Sequence, residues 1–323
     1  MDSTQWEFWS NGRRAEKIVF LNLLCINKES YTSNAFFCEI FVFYTSIRNS
    51  LMKKVIVITG ASSGMGKDAA LALINKGHTV YALARRINLM NDIQKAGGHP
   101  IELDITHSAS IKSTIDSIIQ KEGKIDILWN NAGYGLYGAV EDVPISEAKH
   151  QFEVNLFGLA EMTQVVIPHM RKARSGTIIN TSSMGGRIYM PLGAWYHASK
   201  HALEGWSDSL RVDLNPFGIN VVVLQPGAIA TEWGGIMSSN MNLHSGTGAY
   251  AESANKFNAS MQNMIDKKMM SPTSVITKTI LQIVESKKPK TRYVVGAMAK
   301  PMMWMRKYLG DRMFDKILMS QFK

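Results

Sequence analysis

From Lys53 onward, short runs of β-branched and aliphatic residues alternate with amphipathic stretches, the signature of repeated strand–helix units. Seven segments read as strands: KVIVIT (54–59), HTVYALA (78–84), HPIEL (99–103), IDILWN (125–130), GTIINTS (176–182), INVVVLQ (219–225) and TRYVVG (291–296). Strands apolar on both faces belong inside a sheet that helices cover on each side. Between them lie helical stretches: MGKDAALALINKG (65–77), closed by a glycine, SASIKSTIDSIIQKEG (108–123), one long run over 146–172, and a helix that carries AWYHASKHALEGW (194–206). The pattern predicts an α/β fold, a single doubly wound domain over residues 52–296 with a parallel sheet of about seven strands and helices on both faces.

Three stretches break this rhythm. Residues 1–51 show no sustained period, whereas MKKVIVITG begins at Met52 with its own start methionine and runs straight into a strand. The expectation is that Met52 is the start and that 1–51 is a non-structural extension. Residues 229–270 are long for a connection and carry Trp233, Met237, Met241 and Tyr250 among glycines and serines, so they read as a lid over an apolar pocket. Residues 297–323 form a basic, apolar tail with Met302, Met303, Trp304 and Met305. Packing is the first expectation for the tail, ahead of contact with a membrane surface.

Composition narrows the class. The 323 residues are 46% hydrophobic and 19% charged, a globular balance. The net charge of +10 comes from lysines and arginines scattered along the chain without a nucleic-acid motif, so no nucleic-acid partner is expected. An anionic cofactor and the basic tail account for the charge instead. Cys25 and Cys38 both precede the first strand, which leaves no metal cluster or disulfide framework in the rest of the chain and fits a reducing cytoplasm. The apolar runs IVFLNLLCI and IFVFY are too short to span a bilayer.

Two motifs point to chemistry. TGASSGMG (59–66) follows an apolar strand and opens a helix, so its glycines let the chain turn tightly and bring free N–H groups toward a pyrophosphate. This is a Rossmann-type dinucleotide loop. At the end of the second strand, YALARR places Ala84 where an NAD site would carry an acid, followed by Arg85 and Arg86, whose guanidinium groups suit a 2′-phosphate. NADP(H) is the expected cofactor. Tyr196 and Lys200 then stand one helical turn apart, where a cation is expected to lower a phenol from its usual pKa of about 10 toward the range of an acid–base catalyst.

Together these motifs resemble the short-chain dehydrogenase/reductase family from Met52 to about Gly296, most closely its hydroxysteroid and retinol dehydrogenase-like branch. The resemblance implies a cofactor loop of Gly60, Ser62, Ser63, Gly64, Met65 and Gly66, and an adenine contact at Asp104 in LDI. It assigns Asn131, Ala132 and Gly133 in NNAG to the turn after the fourth strand, and Pro226, Gly227 and Thr231 in QPGAIATE to the nicotinamide wall. Asn155, Ser183, Tyr196 and Lys200 match the catalytic tetrad. Tyr196 would exchange the substrate proton, Lys200 would tune it and hold the nicotinamide ribose, Ser183 would bond the substrate oxygen, and Asn155 would fix a relay water. Asn180, Thr181 and Ser182 are read as local strand residues. Trp129 before NNAG and Met65 in the glycine loop depart from the family pattern.

The expected function is NADP(H)-dependent interconversion of an alcohol and a ketone or aldehyde on a small hydrophobic, steroid- or lipid-like substrate. Tyr189, Met190, Leu192 and Trp195 add to the expected apolar contacts, and a homo-oligomer is expected. Reduction of acyl-thioester ketones and a non-catalytic NADP(H) sensor are the alternatives.

Overall fold

Every predicted strand run contains a strand; the five central ones are buried on both faces, as apolar runs with no solvent-facing side require, while HPIE and RYVV lie half-exposed at the two edges. The computed structural model describes residues 53–320; the readings of Met52, of residues 1–51 with Cys25 and Cys38, and of the last tail residues 321–323 fall outside that range. The strands are β1 (Val55–Thr59), β2 (Thr79–Ala84), β3 (His99–Glu102), β4 (Ile127–Asn130), β5 (Gly176–Thr181), β6 (Ile219–Pro226) and β7 (Arg292–Val295). They form one parallel sheet in the order β3-β2-β1-β4-β5-β6-β7.

The helices are α1 (Gly64–Asn75), α2 (Asn91–Lys95), α3 (Ser108–Glu122), α4 (Ile145–Phe152), α5 (Gly158–Ala173), α6 (Ala194–Leu214), α7 (Trp233–Ser245), α8 (Ala251–Asp266), α9 (Ser274–Glu285) and α10 (Ala299–Ser320). Alternate residues of each strand feed two cores, one on each side of the sheet. Ile56, Ile58, Val80, Ala82 and Trp129 pack on one side with Leu73 of α1 and Ile276, Ile280 and Ile283 of α9. Val55, Val57, Leu83, Leu128 and Ile178 pack on the other with Ile111 and Ile115 of α3 and Met162 and Val166 of α5. Chain direction out of the sheet reverses between β1 and β4, and this opens a crevice at the carboxyl ends of the strands, where ligands of such folds bind.

Two local features go beyond those readings. The run 146–172 is helical throughout, and between α4 and α5 a π-helical turn, Glu153–Phe157, interrupts its α-geometry, the wider hydrogen-bonding ring carrying Asn155 inward. Residues 229–270 are largely helical, with α7 and α8 packed against each other through Met237, Met241, Ala254 and Phe257. The tail is also helical, and Met302, Phe314 and Leu318 bury one side of α10 around Ile188.

Candidate active site

A groove runs across the crevice from the β1–α1 loop. Gly60 leaves β1 at φ 67°, where a side chain is disfavoured, and a Cβ there would come within 2.8 Å of the Ala132 backbone. The close approach lets the loop and the NNAG turn lie side by side. Ser63 at the N-cap of α1 forms no side-chain cap bond, and no acid occupies the first turn, so the helix start offers its N–H groups and dipole to an anion. Gly60, Ser62, Ser63, Gly64, Met65, Arg85, Arg86, Asp104, Asn131, Ala132, Gly133 and Thr231 all border this groove.

Gly66 does not border it. Its missing side chain faces the Gly60 carbonyl, 2.5 Å from where a Cβ would stand, so it supports the loop by close packing. The Asn131 amide nitrogen donates to the Thr59 and Gly60 carbonyls at 3.2 and 3.1 Å, which pins the NNAG turn to the loop. At the far end, Arg86 donates to Ser63 Oγ at 3.0 Å and pairs with Glu232 at 3.3 Å. Asp104 accepts from the Thr106 N–H and hydroxyl at 2.9 and 2.8 Å, fixing its carboxylate beside the groove. An uncapped helix start and a glycine cradle fit the pyrophosphate of a nicotinamide dinucleotide, and two guanidinium groups stand at the groove's far end.

Tyr196, Lys200, Pro226 and Gly227 border a second space that meets the groove at Asn131, Gly133 and Thr231. Tyr196 sits in the first turn of α6, buried beside Tyr137 and Trp233 at ring separations of 5.6 and 5.3 Å. Ser183, extended after β5, accepts from the Gly185 N–H at 3.0 Å, and its hydroxyl hydrogen-bonds the Tyr196 phenol. Lys200 Nζ donates to the Thr181 carbonyl at 2.8 Å. The Trp129 indole donates to the hydroxyl of the same Thr181 at 2.9 Å, so the unusual tryptophan braces the residue that holds the lysine.

Asn155 lies behind this wall. Its amide nitrogen donates to the Tyr134 carbonyl and to Ser199 Oγ at 3.0 and 3.1 Å, and its oxygen accepts from the Tyr134 N–H at 3.1 Å. With both donors engaged, only an acceptor lone pair is left for the expected relay water.

The expected direction of the phenol shift is reversed. Burial pushes the Tyr196 phenol up to about 12, with the Ser183 hydrogen bond working the other way. Burial brings the Lys200 ammonium down to about 8, and the Glu204 carboxylate opposes that fall. Desolvation outweighs the attraction that the four-residue spacing suggests, and Lys200 is tied to Thr181 rather than to the phenol. At neutral pH the site therefore holds a protonated phenol next to a charged lysine.

Two supporting residues were missed in the sequence. Glu204, one turn beyond Lys200, is buried and held by Gln225 at 2.9 Å, Arg187 at 3.1 Å and Arg292 at 3.2 Å. Its spacing of four from Lys200 was the available signal. His197 accepts from the Met190 N–H at 3.0 Å, so its other nitrogen carries the proton and donates to the Gly185 carbonyl at 2.9 Å. Burial lowers this imidazole to about 4, which keeps it neutral as a brace for the 185–190 turn.

This second space has a volume of about 220 Å³ and is mostly apolar, with nine methionines in its wall, among them Met184, Met190, Met237, Met261, Met264 and Met302. Trp233 and Met237 of the expected lid face it, and Phe257 joins them from α8. Tyr189, Leu192, Trp195, Met241 and Tyr250 stand outside the wall. Met241 and Leu192 pack beneath it, and the Tyr189 hydroxyl donates to Asp315 at 2.7 Å.

The sequence matches the family model for short chain dehydrogenase over residues 54–242. It is 35% identical over 261 residues to a probable short-chain type dehydrogenase/reductase, VdlC, of Helicobacter pylori, covering 81% of this chain and 95% of that one. It is 36% identical over 271 residues to a 3-ketodihydrosphingosine reductase of Bacteroides thetaiotaomicron, covering 83% and 97% respectively. Among solved structures, a short-chain dehydrogenase from Streptomyces avermitilis superposes with a TM-score of 0.69 at 29% identity, covering 82% of this chain and 97% of that one.

Proposed function

The chain belongs to the short-chain dehydrogenase/reductase family of oxidoreductases, and on that premise we propose that it is an NADP(H)-dependent reductase of ketones carried on a bulky apolar substrate. The observation that carries this reading is the position of Tyr196, with its protonated phenol, where the anion-binding groove opens into the methionine-rich cavity. Methionine and aromatic side chains adapt to irregular apolar shapes, so such a wall favours a lipid-like substrate over a sugar. The ketone named in the Bacteroides relative supports the same substrate class.

When bound, the nicotinamide supplies the hydride. Tyr196 gives its phenolic proton to the carbonyl oxygen, and the Ser183 hydroxyl hydrogen-bonds that oxygen as charge grows on it. Lys200 has donors left beyond the one given to Thr181, and its charge offsets the phenolate left on Tyr196. Asn155 holds the Tyr134 backbone and Ser199, and through them the floor of the site.

A screen of NADPH oxidation against steroid, long-chain aliphatic, aromatic and acyl-thioester ketones tests the reading. Turnover confined to acyl thioesters would move the assignment to a thioester ketone reductase. NADPH binding without turnover of any class would overturn catalysis altogether.

Cofactor choice is expected to rest on the end of β2. Ala84→Asp combined with Arg85→Ala should cost NADPH about 1.5–3 kcal/mol, or about ten- to a hundredfold in affinity, relative to NADH. An unchanged preference in steady-state kinetics would refute the 2′-phosphate role of this pair.

The acid–base pair also sets a pH profile. Lys200 is charged below about pH 8, while Tyr196 keeps its proton to about 12. In the free enzyme, kcat/KM for reduction should be level below the lysine value and fall about tenfold per unit above it, as Lys200 loses its charge. A profile that stays level well beyond that value would remove the lysine charge from the reaction.

A further inference from the structure

The outer side of α10 has no counterpart in the site described above. Ala299, Met302, Phe314 and Leu318 turn inward, but Trp304 and Tyr308 remain 58% and 61% exposed. They stand one helical turn apart in line with Lys300, and their rings lie 5.4 Å from one another. Beyond the kink at Gly310, Met313 and Met319 are exposed as well. Large aromatic side chains left on a surface with a polar tip outward are the type that settles at a membrane–water boundary.

The charges around these residues point the same way. Both acids of the helix are taken: Asp311 pairs with Arg306, and Asp315 accepts from Tyr189. Among the described residues Lys300 and Lys307 before the kink and Arg312 and Lys316 after it are exposed and have no ion-pair partner, so each of the two helical segments presents uncompensated positive charge beside its exposed apolar groups. Three lysines among the four free cations count against a contact between protein copies, whose cores are depleted in lysine, although aromatic residues, methionine and arginine occur there. No helix among the described residues is long and apolar enough to cross a membrane, so contact would be at the surface. Met298 and Met302, at the start of this helix, border the apolar cavity, so the helix and the cavity wall are continuous.

We propose that α10 docks the protein on an anionic membrane surface, with Trp304 and Tyr308 in the interfacial layer and Lys300, Lys307, Arg312 and Lys316 against lipid phosphates. Docking stands apart from the proposed reaction; delivery of an apolar ketone from the bilayer past Met298 and Met302 rests on it.

Co-sedimentation of the full chain with vesicles tests the docking, comparing phosphatidylcholine alone with phosphatidylcholine mixed with phosphatidylglycerol. The protein should partition onto the mixed vesicles and come off when salt is raised from about 0.1 M to about 1 M. Lys300→Glu, Lys307→Glu, Arg312→Glu and Lys316→Glu together should weaken partitioning by about a hundredfold or more. Trp304→Ala with Tyr308→Ala should weaken it by about tenfold. Both variants should keep the parent melting temperature, since the changed side chains are exposed. Equal partition onto the two vesicle types, or unchanged partition in the charge-reversed variant, would overturn the proposal. So would an oligomer that Trp304→Ala with Tyr308→Ala dissociates in sedimentation velocity, because the helix would then be a subunit contact. Vesicle binding without ketone turnover would leave docking standing and remove the proposed reaction.

Discussion

Tyr196→Phe should lower ketone reduction by about 10²- to 10⁴-fold while NADPH affinity stays within about twofold of the parent. The ring is buried and packs against Tyr137 and Trp233, and phenylalanine keeps those contacts. Only the hydroxyl is lost, and with it the proton donor to the carbonyl oxygen. The neighbours cannot replace it at comparable rates. Ser183 is a much weaker acid than the phenol, and Lys200 is drawn away to the Thr181 carbonyl. Single-turnover measurements with bound NADPH would separate the chemical step from product release. Retention of more than about a tenth of the parental rate would remove the role proposed for Tyr196.

Gly60→Ala is the second change with a large expected effect, and it acts on the cofactor groove. A left-handed residue with a Cβ costs about 1–2 kcal/mol, and here the added carbon would meet the Ala132 Cα at 2.8 Å and its nitrogen at 2.9 Å. Both are backbone atoms held by Thr59 and Asn131 hydrogen bonds, so the strain of crowding, about 1–3 kcal/mol, adds to the conformational cost. The melting temperature should fall by several degrees, and NADPH affinity by about tenfold or more. Gly77→Ala is the matched control. Gly77 has φ 87°, but nothing lies within 4 Å of its added Cβ, so it carries the left-handed cost alone. Equal losses in the two variants would show that the approach of Gly60 to Ala132 is not what shapes the groove.

The sheet was legible because its five central strands are apolar on both faces, as a doubly covered parallel sheet requires, and the two edge runs HPIE and RYVV were found by their place in the strand–helix alternation. The groove residues were legible because a glycine loop, a strand end and an NNAG turn each mark a local backbone geometry. For Gly66 the glycine spacing left open what the fold adds, that its missing side chain lets two backbones meet. The phenol shift was misjudged because four-residue spacing reports proximity but not burial, and burial dominates for both Tyr196 and Lys200. The methionine wall was legible only in fragments. Met184, Met237, Met261 and Met302 come from four distant segments, and nothing short of the folded chain brings them to one cavity.

The π-helical turn at Glu153–Phe157 has a bearing on tolerance to insertion and deletion. Such a turn accommodates one residue more than an α-helix does, so α4 and α5 behave as two rods whose rotational phase is offset by a single codon. Loss of Val154 would let them fuse into one regular helix, and Asn155 would swing by about 100° around the axis, away from Tyr134 and Ser199. A longer, more regular helix would then come at the expense of the bracing behind Tyr196 and Lys200. Elsewhere in α5 a one-residue deletion scrambles packing; at this turn it would remove an irregularity, and with it the reason Asn155 faces inward.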